Sequence, residues 1–318
     1  MYNLNKKLKT YYEFDDVLVK PIPSYVNSRD DVDISVRLSD NFSLKFPLIA
    51  SPMREIVDAK FAAKLSDLGG IAILHRFYDT DDEMYAEAQS LQGKNFGVSI
   101  GLNDDRYIRL LEYNPKILVI DIANGYLESL NRFCEEVKNY IVKNNYDTLL
   151  CSGNVCDSKG VDNLKNNGVD IVRFSIGSGN LCTTRKVTGI GIPIVSALQE
   201  VSNISDIIIC ADGGINSSGN FVKAIVAGSD LCMAGSIFGK THESPNNGYI
   251  YGMASKKLNE RMYTRIKSIE GIEKSIEKEY SLEEFIDEFS FGVKSAATYL
   301  NARNLYEMWL HGEFIILK

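Results

Sequence analysis

Eight short apolar runs recur along the chain, and most are followed by a longer amphipathic stretch. They are PLIAS (47–51), GIAILH (70–75), FGVSI (96–100), ILVIDIA (117–123), TLLCSG (148–153), IVRFSIG (171–177), IIICADG (207–213) and LCMAGS (231–236). Each is nearly continuous rather than alternating, the pattern of parallel strands buried on both faces. Stretches such as DAKFAAKLSDLG (58–69), YLESLNRFCEEVKNYIVKN (126–144) and NFVKAIVAG (220–228) read as intervening helices. Strand–helix alternation with eight strands predicts an α/β fold, a closed (β/α)8 barrel of the TIM type. A doubly wound open sheet is the rival. It usually has five or six strands and a glycine-rich turn after the first, and PLIASPMREIV (47–57) has no such turn.

Length alone, 318 residues, suggests two domains. Barrels of about 250 residues nevertheless fold as one unit, and we read a single domain over 1–318. Two segments exceed a minimal barrel. One is SIGSGNLCTTRKVTGIGIP (175–193), expected to be an active-site loop; the other runs from about 240 to 318, expected to be a flap and C-terminal extension. Extra length after barrel strands is where such folds build their sites. The net charge of −7 (35 basic against 42 acidic residues) argues against nucleic acid or an anionic membrane as partner. No apolar run approaches the roughly 20 residues that span a bilayer. The opening MYNLNKKLKTYYEFDD lacks the apolar centre of a signal peptide, and the six cysteines show neither CxxC nor zinc-finger spacing. A reducing compartment, the cytoplasm, is expected.

Chemistry is expected at the C-terminal ends of the strands. ADGGINSSGN (211–220) and AGSIFG (234–239) follow the seventh and eighth runs, where barrels commonly hold a ligand phosphate on backbone amides. There Gly213, Gly214 and Gly235 permit close backbone approach, Ser236 adds a hydroxyl, and Asp212 is placed to accept from ribose hydroxyls. The plainer reading of DGG is a tight turn with a helix cap. Cys182 lies in the glycine-rich GSGNLCTTR (177–185), outside any apolar strand. A nucleophilic thiolate and an ordinary loop cysteine both fit that context. Cys134, Cys151, Cys156, Cys210 and Cys232 lie in apolar or helical runs and read as core residues. His75 ends the second run, where its ring would face the barrel mouth or simply cap it, and no metal triad can be assembled from His75, His242 and His311. Asp121 and Asn124 sit at the rim after the fourth run, and Glu270 falls in a charged stretch whose default reading is a solvated face.

Taken together, FDDVL, ASPM, DIANGY, SGNV, GSGNLCTTR, ADGGI, YGM and EG, in this order, resemble the family of IMP dehydrogenase and GMP reductase. The resemblance extends from YEFDDVLVKP (12–21) to GVKSAATYLNARNL (292–305). It implies (β/α)8-barrel enzymes acting on purine nucleotide monophosphates, with Cys182 attacking carbon 2 of the purine to form a covalent adduct. By the same resemblance, Thr184 and Glu270 handle proton transfer around the leaving amine. Ser51, Met53, Asp212, Gly213, Gly214, Gly235, Ser236, Tyr251, Gly252 and Met253 hold the nucleotide. His75, Arg76, Asp121, Ala123 and Asn124 face the nicotinamide cofactor, and the carbonyls of Gly177, Gly179 and Cys182 bind a monovalent cation, K+. A homotetramer is implied as well.

Within that family the chain resembles the reductase branch, which implies NADPH-dependent conversion of GMP to IMP and ammonia. The connection between the second and third runs is only about 20 residues, so the regulatory (CBS) domains of many dehydrogenases are absent there. DIANGY, CTTRKVTGIG and the C-terminal SAATYLNARNLYEM resemble the reductase versions. No clear counterpart of the dehydrogenase Arg-Tyr dyad stands in KKLNERMYTRIKSIEG (256–271). Four features depart from the pattern: AGS (234–236) is closer to the dehydrogenases, Arg54 replaces a common aspartate, GSGN (177–180) replaces Gly-Pro-Gly-Ser, and the flap is short. The alternatives are an IMP dehydrogenase without regulatory domains, oxidising IMP with NAD to XMP, and a non-catalytic purine-nucleotide-binding protein.

Overall fold

The computed structural model describes residues 8–204, 206–252 and 272–317. All eight apolar runs form strands: β1 (Leu48–Ala50), β2 (Ile71–Leu74), β3 (Phe96–Ile100), β4 (Ile117–Asp121), β5 (Leu149–Val155), β6 (Ile171–Phe174), β7 (Ile208–Asp212) and β8 (Leu231–Ala234). They pair in parallel with their sequence neighbours, and β8 returns to β1, closing the barrel. The open sheet is thereby excluded. Between β2 and β3 stands a single helix, Asp81–Ser90, with no inserted domain.

The continuous apolar runs arise because both strand faces are covered. One parity points inward: Ile49, Ile71, Ile73, Ile117, Val119, Cys151, Ile171, Cys210, Leu231 and Met233 form a cluster inside the ring. The other parity, including Leu48, Ala72, Val98, Leu118, Val172, Ile209 and Cys232, packs against the outer helices. Leu38, Phe42 and Leu44, from the hairpin Val36–Ser39 and Phe42–Leu44, join the inner cluster and plug the N-terminal end.

Side-chain caps set where the outer helices begin. Asp58 accepts from Phe61 N ahead of Ala59–Asp67, Asp157 from Gly160 N ahead of Ser158–Asn166, and Ser217 from Asn220 N ahead of Ser218–Ala227. Near the C-terminus Leu282–Tyr299 starts on a capping box of Ser281 and Glu284. The two ends of the chain then meet, Val17–Val19 pairing antiparallel with Phe314–Ile316. Among the described residues no helix is long and apolar enough to cross a membrane.

Cys134, Cys151, Cys210 and Cys232 are buried as expected, and burial pushes the Cys151 thiol up to about 12. Cys156 is a correction: it lies beyond β5, only partly buried, with its amide donating 3.0 Å to the Tyr126 hydroxyl. The strand ends one residue earlier, so Cys156 belongs to the turn leading to the Asp157 cap.

Candidate active site

A cavity of about 300 Å³ opens at the C-terminal end of the barrel. Inward-pointing strand positions supply its floor. Continuing the inner parity beyond Val119, Ile171 and Cys210 leads to Asp121, Arg173 and Asp212, so the apolar interior gives way to charge at the rim. Arg173 is 7% exposed and reaches across the ring. Its Nη1 donates to Asp121 Oδ1 at 2.6 Å, while Nη2 and Nε donate to Asp212 Oδ2 at 2.8 and 3.1 Å. Burial opposes the guanidinium charge, but the Asp212 and Asp121 carboxylates outweigh it, and Arg173 stays firmly protonated. Asn154 Nδ2 adds a 2.8 Å bond to the same Asp212 oxygen. Every contact to Asp212 from the described residues ends on Oδ2, which leaves Oδ1 for a ligand.

Above this floor, the loop after β6 brings Cys182 to the cavity wall. Its amide donates to Gly179 O at 2.9 Å, closing a tight turn, and its Sγ donates to Thr184 Oγ1 at 3.0 Å. Cys182 is the one exposed cysteine among the six. Opposite the loop, Gly213 and Gly214 have φ of +98° and +77°, conformations that favour glycine. A Cβ on Gly213 would stand 2.7 Å from Gly179 N, so the turn after β7 and the cysteine loop are in contact only because that position lacks a side chain. Asn180 Nδ2 donates to Ser236 Oγ at 3.3 Å, and Met53 Sδ lies 2.5 Å from where a Gly235 Cβ would be.

The cavity wall therefore brings together Ser51, Met53, Gly177, Gly179, Cys182, Thr184, Asp212, Gly213, Gly214, Gly235, Ser236 and Gly252. Arg76, Asp121 and Ala123 line it from β2 and β4, the latter diametrically opposite β8 in an eight-strand ring. Arg76 lies over the Phe77 ring at 4.4 Å, and its Nε, 3.6 Å from Asp121 Oδ2, is buried without a hydrogen-bond partner among the described residues.

Three expected residues stand off the wall. His75 is 5% exposed, its ring stacked on Tyr78 at 4.2 Å while Nδ1 accepts from Phe77 N at 3.1 Å. Burial, and then the Arg54 charge, lower its pKa from 6.5 to about 3, so it is a neutral packing residue rather than a contact at the mouth. Asn124 turns its Oδ1 to Tyr126 N at 3.1 Å, forming a local turn. Tyr251 belongs to the antiparallel pair Tyr249–Tyr251 with Glu273–Ser275. Met253 and Glu270 lie outside the described residues. Among the described residues no three His, Cys, Asp or Glu side chains gather in a way that could hold a metal ion.

Sequence reasoning missed Arg173, Asn154 and Ser175, all on the wall. A signal for Arg173 existed: a charged residue two positions after Ile171, on the inward parity of a buried strand. Ser175 has φ of +119°, and its buried hydroxyl is unpartnered among the described residues.

Residues 11–317 match the family described as IMP dehydrogenase / GMP reductase domain. The chain belongs to the IMP dehydrogenase / GMP reductase family. It is 31% identical to a GMP reductase of Buchnera aphidicola over 95% of this chain and 92% of that protein. A GMP reductase of Lactococcus lactis is 28% identical, covering 96% and 94% of the two chains. An inosine-5'-monophosphate dehydrogenase of Cryptosporidium parvum is also 28% identical, over 95% and 91%. Among solved structures, a cysteine-to-alanine variant of GMP reductase from Trypanosoma brucei, in complex with guanosine 5'-monophosphate, superposes with a TM-score of 0.91. That match covers 100% of this chain and 97% of the other at 21% identity, and establishes the shared fold. Family membership also implies a nicotinamide cofactor.

Proposed function

We propose that this chain is an NADPH-dependent GMP reductase, an oxidoreductase that converts GMP to IMP and ammonia through a covalent bond between Cys182 and the purine. The observation that carries the reading is the exposed Cys182 thiol on the cavity wall, 3.0 Å from Thr184 and in one pocket with Asp212 and the glycines after β7 and β8. The reductases among its relatives and the short β2–β3 connection support this branch.

In this reading Asp212 Oδ1 accepts from the ribose hydroxyls, because Arg173 and Asn154 already occupy Oδ2. The amides around Gly213, Gly214 and Gly235, with the Ser236 hydroxyl, take the phosphate. Ser51, Met53 and Gly252 complete the nucleotide wall, with Tyr251 and Met253 assigned there by resemblance alone. Cys182 Sγ adds to carbon 2 and the exocyclic amine leaves as ammonia, so one hard substitution becomes two easier steps. Thr184 relays a proton to the departing nitrogen, with Glu270 assigned as its partner by resemblance. NADPH, when bound, supplies the hydride that ends at carbon 2, and the carbon 2–Sγ bond then breaks with its electron pair returning to Cys182 Sγ, which frees IMP. The overall balance is GMP + NADPH + 2 H+ → IMP + NADP+ + NH4+.

The buried Arg76 Nε, beside the Phe77 ring and without a hydrogen-bond partner among the described residues, suits a planar ring bearing a polar carboxamide, so Arg76, Phe77, Asp121 and Ala123 would hold the nicotinamide end. K+ would be held by carbonyls of Gly177, Gly179 and Cys182, all within one loop. Gly179 O takes the Cys182 N–H and keeps its second lone pair. There the ion would brace the loop and take no part in the chemistry. A cytoplasmic homotetramer completes the reading.

The test is to incubate the protein with GMP and NADPH, and separately with IMP and NAD, following nicotinamide absorbance and identifying the purine. Oxidation of NADPH with IMP and ammonia formed supports the reductase. XMP formed from IMP would replace it with the dehydrogenase, a reading that the Cryptosporidium parvum relative also favours. Bound nucleotide without turnover in either mixture would leave a binding protein.

A further inference from the structure

Arg185 follows Thr184 directly and stands three residues from Cys182, yet its side chain does not reach the cavity. It turns away and gathers both arms of the loop. Nη2 donates to Ser178 Oγ at 2.9 Å on the outgoing arm and to the Ile192 carbonyl on the returning one. A Cβ on Gly177 would meet Arg185 Cγ at 2.6 Å, so the arm lies directly on the arginine stem. The remaining Nη1 pairs with Glu13, a residue 172 positions earlier in the chain.

Glu13 uses its second oxygen to accept from Ile194 N at 3.3 Å, where the loop re-enters a helix. Its neighbours reinforce the same junction. Tyr12 N donates to Ser196 Oγ at 2.9 Å, and the Phe14 ring lies 3.2 Å from where a Gly214 Cβ would be. Lys223 Nζ, from the helix Ser218–Ala227, holds Phe14 O at 2.8 Å. The N-terminal segment thus touches both the cysteine loop and the turn beside Asp212.

We propose that Glu13 and Arg185 are positioning residues: their ion pair clamps the 175–193 loop so that Cys182 and Thr184 stand correctly against the nucleotide. Its consequence for catalysis rests on the reductase reading; its consequence for loop order does not. A charged fork joining three otherwise separate backbone segments limits the loop to one arrangement. Loss of the clamp leaves the phosphate and ribose contacts in place while the thiol wanders, and displacements of about 1 Å cost rate far more than affinity.

The experiment compares wild type with Glu13→Ala, Glu13→Gln and Arg185→Lys in the full-length protein. Three quantities are measured: kcat with GMP, GMP affinity by calorimetry, and the rate of tryptic cleavage after Lys186. Glu13→Ala is expected to lower kcat by about tenfold or more while the GMP Kd stays within about threefold. Cleavage after Lys186 is expected to accelerate about fivefold or more over cleavage elsewhere, with Glu13→Gln and Arg185→Lys intermediate. A Glu13→Ala enzyme with kcat within about twofold of wild type would overturn the proposal, as would equal losses in kcat and affinity. If Glu13→Ala does not fold, Glu13→Gln carries the same comparison. If wild type shows no GMP reduction, the reductase reading fails, and the cleavage rate alone then decides the clamp: an unchanged rate in the variants overturns it.

Discussion

Arg173 Nη2 stands 2.8 Å from Asp212 Oδ2 on the floor of the cavity, across two neighbouring strands of the barrel. With Asp121 on its other side, this guanidinium is the counter-charge for two carboxylates at once. Removing one member of a buried charge group costs about 3–5 kcal/mol, because what remains is charged and unpaired. Arg173→Met is therefore expected to lower the unfolding free energy by that order, measured by urea denaturation. A loss below about 1 kcal/mol would show that water already compensates these carboxylates.

Asp212→Asn should behave differently. It keeps an oxygen for the Arg173 fork but loses the charge, so the fold is expected to persist. GMP affinity is expected to fall about tenfold, the effect of weakening charge-assisted bonds to ribose hydroxyls. Calorimetric titration with GMP checks this, and unchanged affinity would remove Asp212 from the ribose site.

Cys182→Ala removes the only exposed thiol, leaving Thr184 and the glycine turns intact. Turnover of GMP is expected to fall by about a thousandfold or more, the scale seen when a covalent nucleophile is lost. Nucleotide binding is expected to persist. Steady NADPH oxidation by this variant would dismiss the covalent route.

Gly213→Ala would place a methyl 2.7 Å from Gly179 N at a φ of +98°. Backbone strain of about 1–3 kcal/mol is expected, relieved by pushing the cysteine loop away from the turn. Both thermal stability and kcat should drop. A variant of wild-type activity would mean that the loop and the turn move independently.

His75 ties stability to pH. Its folded pKa of about 3 lies below its ordinary 6.5, so the unfolded chain binds a proton that the folded chain refuses. Stability is complete above 6.5 and declines as pH falls toward 3, by about 1.4 kcal/mol per unit. His75→Asn retains an acceptor for Phe77 N without titrating. Between pH 6.5 and 5 wild type is expected to lose about 2 kcal/mol more than this variant in urea melts. Parallel losses would place the His75 ring in contact with water.

The barrel could be read from the chain because two-sided burial leaves its mark on every strand: inside and outside positions are alike apolar, and eight such runs admit little but a closed ring. Gly213 and Gly214 were equally visible, since a glycine pair at a strand tip answers a local requirement of backbone shape, φ of +98° and +77°. His75 misled for the opposite reason. Its place at a strand end said nothing of Tyr78, which folds back to cover the ring. Arg173 looked like an interruption in IVRFSIG until ring closure set it between Asp121 and Asp212, residues 52 and 39 positions away. Glu13 and Arg185 are further apart still. Periodicity and turn chemistry are written in neighbouring residues and survive in one dimension. Charge partnership across a barrel depends on which strands become neighbours, and only the closed ring supplies that.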